Sequence, residues 1–164
     1  MKNLTKIALI SASLFAGVSQ ASDTQLIGTV EAVCEAQVNG TLLMDFGLDP
    51  QAGDTASQNV AVRCNDGDGA TVELRSAEGG LESDDNEDFS VEYTATLVEA
   101  GTGINLSLTT SPGIGLNDEF VDQAIGGSAA LAGGVAAALD VTLNDTPVWA
   151  GGYSDTLSVE ITAN

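Results

Sequence analysis

The chain closes with AGGYSDTLSVEITAN, Ala150 to Asn164. Leu157, Val159 and Ile161 alternate there with Ser158, Glu160 and Thr162. A period of two is the signature of a strand with one face buried and one face wet. Only Ala163 and Asn164 follow it, so the sequence leads one to expect a final strand with an uncovered outer edge. Exposed edges with an apolar face invite pairing with another chain, and proteins normally cover or blunt them. What pairs with this edge is the question that the rest of the sequence has to answer.

Upstream, the pattern repeats. TLLMDF (Thr41 to Phe46), NVAVRC (Asn59 to Cys64), ATVELRS (Ala70 to Ser76), FSVEYTATLV (Phe89 to Val98), INLSLT (Ile104 to Thr109) and LDVTL (Leu139 to Leu143) all read as short strands. Between them lie turn-forming clusters such as Gly47-Leu48-Asp49-Pro50, Asn65-Asp66-Gly67-Asp68-Gly69 and Asn144-Asp145. Strands at this spacing predict an all-β fold, an antiparallel sandwich or barrel. The segment 126–138, GGSAALAGGVAAA, is expected to be irregular or edge structure. Its alanines favour a helical turn, but the pairs Gly126-Gly127 and Gly133-Gly134 weaken one. No internal repeat or linker divides the chain, and its size suits one domain.

Residues 1–21 carry the marks of a secretory signal. Lys2 and Lys6 precede a short apolar run, Ile7 to Val18, and Ser19-Gln20-Ala21 supplies a small-x-small cleavage site. The run is too short to span a bilayer comfortably, so the mature chain is expected to start at Ser22 and to have no membrane span. It then keeps only Arg63 and Arg75 against 24 acidic residues, a net charge of −22. That balance opposes binding to nucleic acid through phosphates and favours solubility or a salt-rich setting. In an exported chain two cysteines imply a disulfide. Cys34–Cys64 would close a loop of about 30 residues, worth on the order of 3 to 4 kcal/mol in the chain-entropy account.

Between the cleavage site and Cys34 runs an arm, residues 22–33, whose part DTQLIGTVEAV (Asp23 to Val33) is strand-like. Leu26, Gly28, Val30 and Ala32 fall on one face; Gln25, Thr29 and Glu31 fall on the other, with Ile27 and Val33 as exceptions. A glycine inside a strand often marks close approach by another group. On alternation alone, the arm reads as an ordinary first strand of its own sheet.

Three pieces together resemble the spore coat U family of secreted subunits, which includes pilins of archaic chaperone–usher pili. They are the alternating arm before the first cysteine followed by MDFG-x-DP at Met44 to Pro50, the strand-closing VRC at Val62 to Cys64, and AGGYSDTLSVEI at Ala150 to Ile161. Both ends of the mature chain carry the likeness; Gly79 to Leu139 does not. The resemblance implies an incomplete immunoglobulin-like sandwich over residues 34–164, lacking its last strand and completed by donor-strand exchange. The arm of one subunit, with Leu26, Gly28, Val30 and Ala32 inward, would fill a neighbour's groove walled by Leu157, Val159 and Ile161. Such a head-to-tail contact does not close on itself and gives a filament. The implied partners are identical or related pilin subunits, a periplasmic chaperone and an outer-membrane usher. The implied place is a cell-surface pilus serving adhesion or biofilm formation.

Other functions fit less well. The acidic runs NDGDG (Asn65 to Gly69) and ESDDNED (Glu82 to Asp88) could offer oxygens to calcium. The first lacks the closing glutamate of a calcium loop, and the second reads as a solvated charge run. Neither metal nor cofactor is expected. The mature chain has no histidine and no lysine, so serine or threonine nucleophiles lack the usual base and no enzyme activity is expected. The alternative to a pilin is a monomeric secreted coat or adhesin-type sandwich whose arm pairs with its own chain.

Overall fold

The computed structural model describes residues 27–37, 46–111 and 118–164, with the side chains of residues 86–88 left aside. The signal stretch 1–21, Leu26 and all of the expected strand 41–46 except Phe46 lie outside the described residues. The chain divides into two units, Met1–Val30 and Glu31–Asn164. All the strands described below belong to the second.

The described residues are all-β, with one short helix. A five-stranded antiparallel sheet is built from β1 (Cys34–Gln37), β2 (Thr55–Cys64), β6 (Tyr93–Glu99), β7 (Ile104–Thr109) and β9 (Val135–Leu143). Its spatial order is β1-β2-β9-β6-β7. A three-stranded sheet places β3 (Ala70–Ser76) between β8 (Glu119–Ile125) and β11 (Leu157–Ala163). A smaller sheet joins β4 (Leu81–Ser83), β5 (Asn86–Val91) and β10 (Tyr153–Ser154), in the order β10-β4-β5.

One core serves both larger sheets. The inward positions of β2, β6 and β9, including Val60, Val62, Ala95, Leu97, Ala137 and Leu139, cluster with Val72 and Leu74 of β3 and Ile161 of β11. Each of these strands alternates buried with wetter positions, and the period-two pattern is the cause. The side chains are small, so the core gains its apolar area from many Val, Leu and Ala residues and, among the described residues, one fully buried aromatic, Tyr93.

Two expectations change. The single strand expected from Phe89 to Val98 is two, β5 and β6, separated at Glu92. Here the chain passes from the small sheet to the large one. Glu92 holds the crossing point by accepting from Asn144 twice: the backbone N–H reaches its carbonyl at 2.9 Å, and Nδ2 reaches Oε1 at 2.8 Å. The segment 126–138 is also more regular than its glycines suggest. Ser128 caps a five-residue helix, α1 (Ala129–Gly133), by accepting from the Leu131 N–H at 3.1 Å. Leu131 is fully buried, and the glycine pair at 133–134 ends the helix, Gly134 with φ +90°. The alanines beyond it start β9, which is no edge but the strand between β2 and β6. Pairing with β2 along the alanine run, and with β6 from Ala138 onward, overrides the weak strand preference of alanine.

β1 is short, and the disulfide fixes it to the sheet. Cys34 and Cys64 face one another in the β1–β2 register and are bonded, as expected. The bridge closes a loop with a sequence separation of 30. The pair Cys34→Ser, Cys64→Ser is therefore expected to lose about 3 kcal/mol of unfolding free energy, read as a lower urea midpoint, with a steeper slope because the uncrosslinked unfolded chain exposes more surface.

Candidate functional site

The entry to the last strand is tied down by one carboxylate. Asp155 Oδ2 accepts from Ser76 Oγ at 2.6 Å and from Tyr93 OH at 2.6 Å. Its other oxygen accepts from the Glu78 N–H at 3.1 Å. Ser76 Oγ in turn accepts from the Gly79 N–H at 2.8 Å. Ser76 and Tyr93 are buried, so the network links β3, β6 and the turn after β3 immediately before Leu157. Buried polar groups satisfied in this way specify one arrangement. Tyr153 takes a different part. It pairs with Ser83 in the small sheet, packs edge-on against Phe89 at 6.4 Å and donates its hydroxyl to the Trp149 carbonyl at 2.9 Å.

β11 then runs antiparallel to β3 from Leu157↔Ser76 to Ala163↔Ala70. It is an edge strand; among the described residues its outer side pairs with no strand. The two larger sheets approach each other along two seams, β7 with β8 and β1 with β11. The first is closed by Gln123 of β8, whose Oε1 accepts from the Asn105 N–H at 2.8 Å. Its Nε2 donates to the Gly103 carbonyl at 3.0 Å. Along the second seam, no hydrogen bond joins β1 to β11 among the described residues, and a cleft of about 210 Å³ opens there. Leu157, Ser158 and Val159 form one wall and Ala36 of β1 stands opposite; Gln58, Val60 and Leu139 complete the lining.

Of the wall residues expected from sequence, Leu157 and Val159 are half-buried and line the cleft. Ile161 is 8 % exposed and belongs to the core. Sequence reasoning missed Ala36, Gln58, Val60 and Leu139. Their shared position depends on which sheet edges meet, and alternation within one strand does not carry that information.

The arm shows no strand over residues 27–33. Gly28, Val30 and Ala32 are exposed, Val30 at 88 %, and Ile27 on the opposite alternation is 81 % exposed. The base of the arm is held by Asn65, directly after Cys64. Asn65 Oδ1 accepts from the Val33 N–H at 2.6 Å, and Nδ2 donates to the Glu31 carbonyl at 3.1 Å. The Asn65 N–H donates to the Val33 carbonyl at 3.2 Å. The loop weighed for calcium thus opens with a residue that binds backbone. Its neighbour Asp66 accepts from the Asp68 N–H at 2.8 Å, an Asx turn. In the other acidic run, the backbone of Gly151 and Gly152 packs against Asp85 and Asp84, and the Asp84 N–H donates to the Gly152 carbonyl at 2.9 Å. A side chain at Gly152 would collide with the Asp84 carboxylate. Among the described residues, no three Asp, Glu or Cys side chains converge as metal ligands.

The chain was compared with family models, with curated proteins and with solved structures, and none matches.

Burial, with the Asp155 carboxylate beside it, holds the Tyr93 phenol well above its ordinary pKa. A raised pKa in the folded state means stability that is complete below about pH 10, where an unfolded tyrosine ionises, and that declines as pH rises beyond it. Tyr93→Phe is expected to lower stability at pH 7 by about 1–3 kcal/mol and to flatten the decline above pH 10. Urea unfolding measured across pH 7–11 checks both; an unchanged alkaline slope would mean that the phenol does not govern it.

Proposed function

We propose that this chain is a structural subunit of an exported surface fibre of the chaperone–usher type, a pilin, and that it polymerises by lending its N-terminal arm to a neighbour. The observation that carries this reading is the unpaired seam between β1 and β11, whose cleft has an apolar wall and an apolar floor. In this reading the two larger sheets are the layers of an immunoglobulin-like sandwich that lacks one strand, and donor-strand exchange supplies it.

The arm suits the cleft in chemistry. Residues 24–30, TQLIGTV, carry no charge in a chain with 24 acidic residues. At so high a net negative charge, most surfaces of two copies repel. An uncharged segment that carries Leu26, Ile27 and Val30 is the part that one copy can bring into the cleft of another without that penalty. Its exposed Val30 would be covered in the act. Added along β11, it would satisfy the free edge with backbone hydrogen bonds and place alternate side chains on the floor. Because one copy lends its arm and receives another's in its cleft, the contact is head-to-tail and propagates. The spore coat U resemblance at both ends of the mature chain supports the same assignment, as does the disulfide, which suits an oxidising compartment. The partners that follow are like subunits, a periplasmic chaperone that covers the cleft before assembly, and an outer-membrane usher. Adhesion or biofilm formation would be the fibre's task.

The test is to produce the mature chain with and without residues 22–33 together with its chaperone and to follow fibre growth. The shortened chain is expected to be captured by the chaperone and to accept an arm, but to add no further subunit through its own N-terminus. Polymerisation indistinguishable from the full chain would refute strand exchange. Gly28→Trp is expected to stop growth while leaving the chaperone complex intact. Normal fibres from that variant would show that Gly28 does not face the cleft.

A further inference from the structure

The cleft is lined mostly by apolar side chains, with Ser158 in its wall and one polar side chain on its floor. Gln58 lies on β2 at a core-facing position, two residues before Val60 and four before Val62. It pairs across the sheet with Leu139 and lines the cleft together with Val60, Leu139 and the β11 wall. Its Oε1 is shielded from solvent and accepts no hydrogen bond. A buried acceptor without a donor destabilises the free protein, and most buried polar atoms in folded chains are paired. The two other side-chain atoms in that condition among the described residues, Ser83 Oγ and Ser90 Oγ, belong to the small sheet and do not line this cleft.

The place of Gln58 along the seam explains what its donor would be. β1 pairs with β2 only from Cys34↔Cys64 to Gln37↔Ala61. Gln58 comes three residues beyond Ala61, where β2 has no described neighbour on its β1 side. A strand laid along β11 would part it from β1, which it closely approaches here, and would turn its second row of backbone N–H groups toward β1 and the Gln58 acceptor.

We infer that Gln58 is the polar subsite of the cleft: its Oε1 accepts a backbone N–H from the arm of a second copy, on the arm edge facing away from β11. This rests on the fibre reading above and adds to it a residue that selects how far the arm slides in. An apolar floor alone tolerates a shift of two residues, because the same face stays inward. A single buried acceptor does not tolerate it unless another amide arrives at the same point. Gln58 is thus unfavourable in the free subunit and satisfied in the fibre.

The experiment uses the full mature chain, dilute enough to suppress self-association, and a fluorescent synthetic peptide of residues 22–33 read by anisotropy. Gln58→Met keeps the length and removes the amide. It is expected to leave the melting temperature of the free chain equal or higher while weakening peptide binding at least tenfold; Gln58→Leu serves equally should the first variant not fold. A scan of peptides N-methylated at one amide each is expected to find a position whose methylation weakens binding to the natural chain but not to Gln58→Met. Equal affinity of the natural chain and both variants for the unmodified peptide, or identical methylation profiles, would overturn the subsite and leave the fibre reading standing. A natural chain that binds no peptide at all would overturn both.

Discussion

Two β sheets that share one core must meet at their margins, and here the margins are treated unequally. At the β7–β8 margin the amide of Gln123 spans the gap and satisfies backbone groups on the other side. At the β1–β11 margin there is no such bridge among the described residues. Everything specific about this molecule follows from that inequality. Backbone groups on an open edge are strong hydrogen-bonding groups, and apolar side chains beneath them gain from being removed from water. Both occur together at this seam, where the edge of β11 borders the apolar lining of the cleft.

The open seam is held between well-anchored surroundings. Asp155 fixes the point at which the chain enters β11, so the open edge is a defined surface. The pairing of β11 with β3 extends over its whole length, which sets its side-chain alternation with respect to the core. On the opposite side of the cleft, the Cys34–Cys64 bond holds β1, a strand of four residues that would contribute little by itself. Both walls are thus positioned by interactions outside the cleft, and its shape does not require an occupant to form it.

Much of this was legible in the sequence wherever a strand has one wet face. Ala70–Ser76 and Ile104–Thr109 have the bounds that their alternation predicts, and the disulfide follows from cysteine count and export. Legibility fails where tertiary placement outweighs local pattern. Val135–Ala138 carries little strand preference, yet it lies in a strand with partners on both sides. Glu119–Ile125 was not recognised at all, because its wet face includes Phe120, which lies beneath the Arg75 guanidinium at 4.9 Å and blurs the apolar rhythm. The cleft was half legible. Leu157 and Val159 announce an apolar wall, but Val60, Leu139 and Gln58 come from strands distant in sequence, and only the sheet order brings them opposite. Nor does the spacing of Tyr153 and Asp155 reveal that Asp155 faces the buried Tyr93 while Tyr153 serves a separate small sheet.

The bond between Cys34 and Cys64, with Asn65 beside it, also determines how the subunit would bear load. A pull on residues 22–30 is transmitted through Glu31 and Val33 to the three hydrogen bonds of Asn65, and then reaches a covalent crosslink. From there the tension passes into β2, which is flanked by β1 and β9, rather than peeling β1 away one residue at a time. In a fibre of the proposed kind, tension entering through the N-terminal segment would therefore meet a covalent bond before it could strip β1 from the sheet.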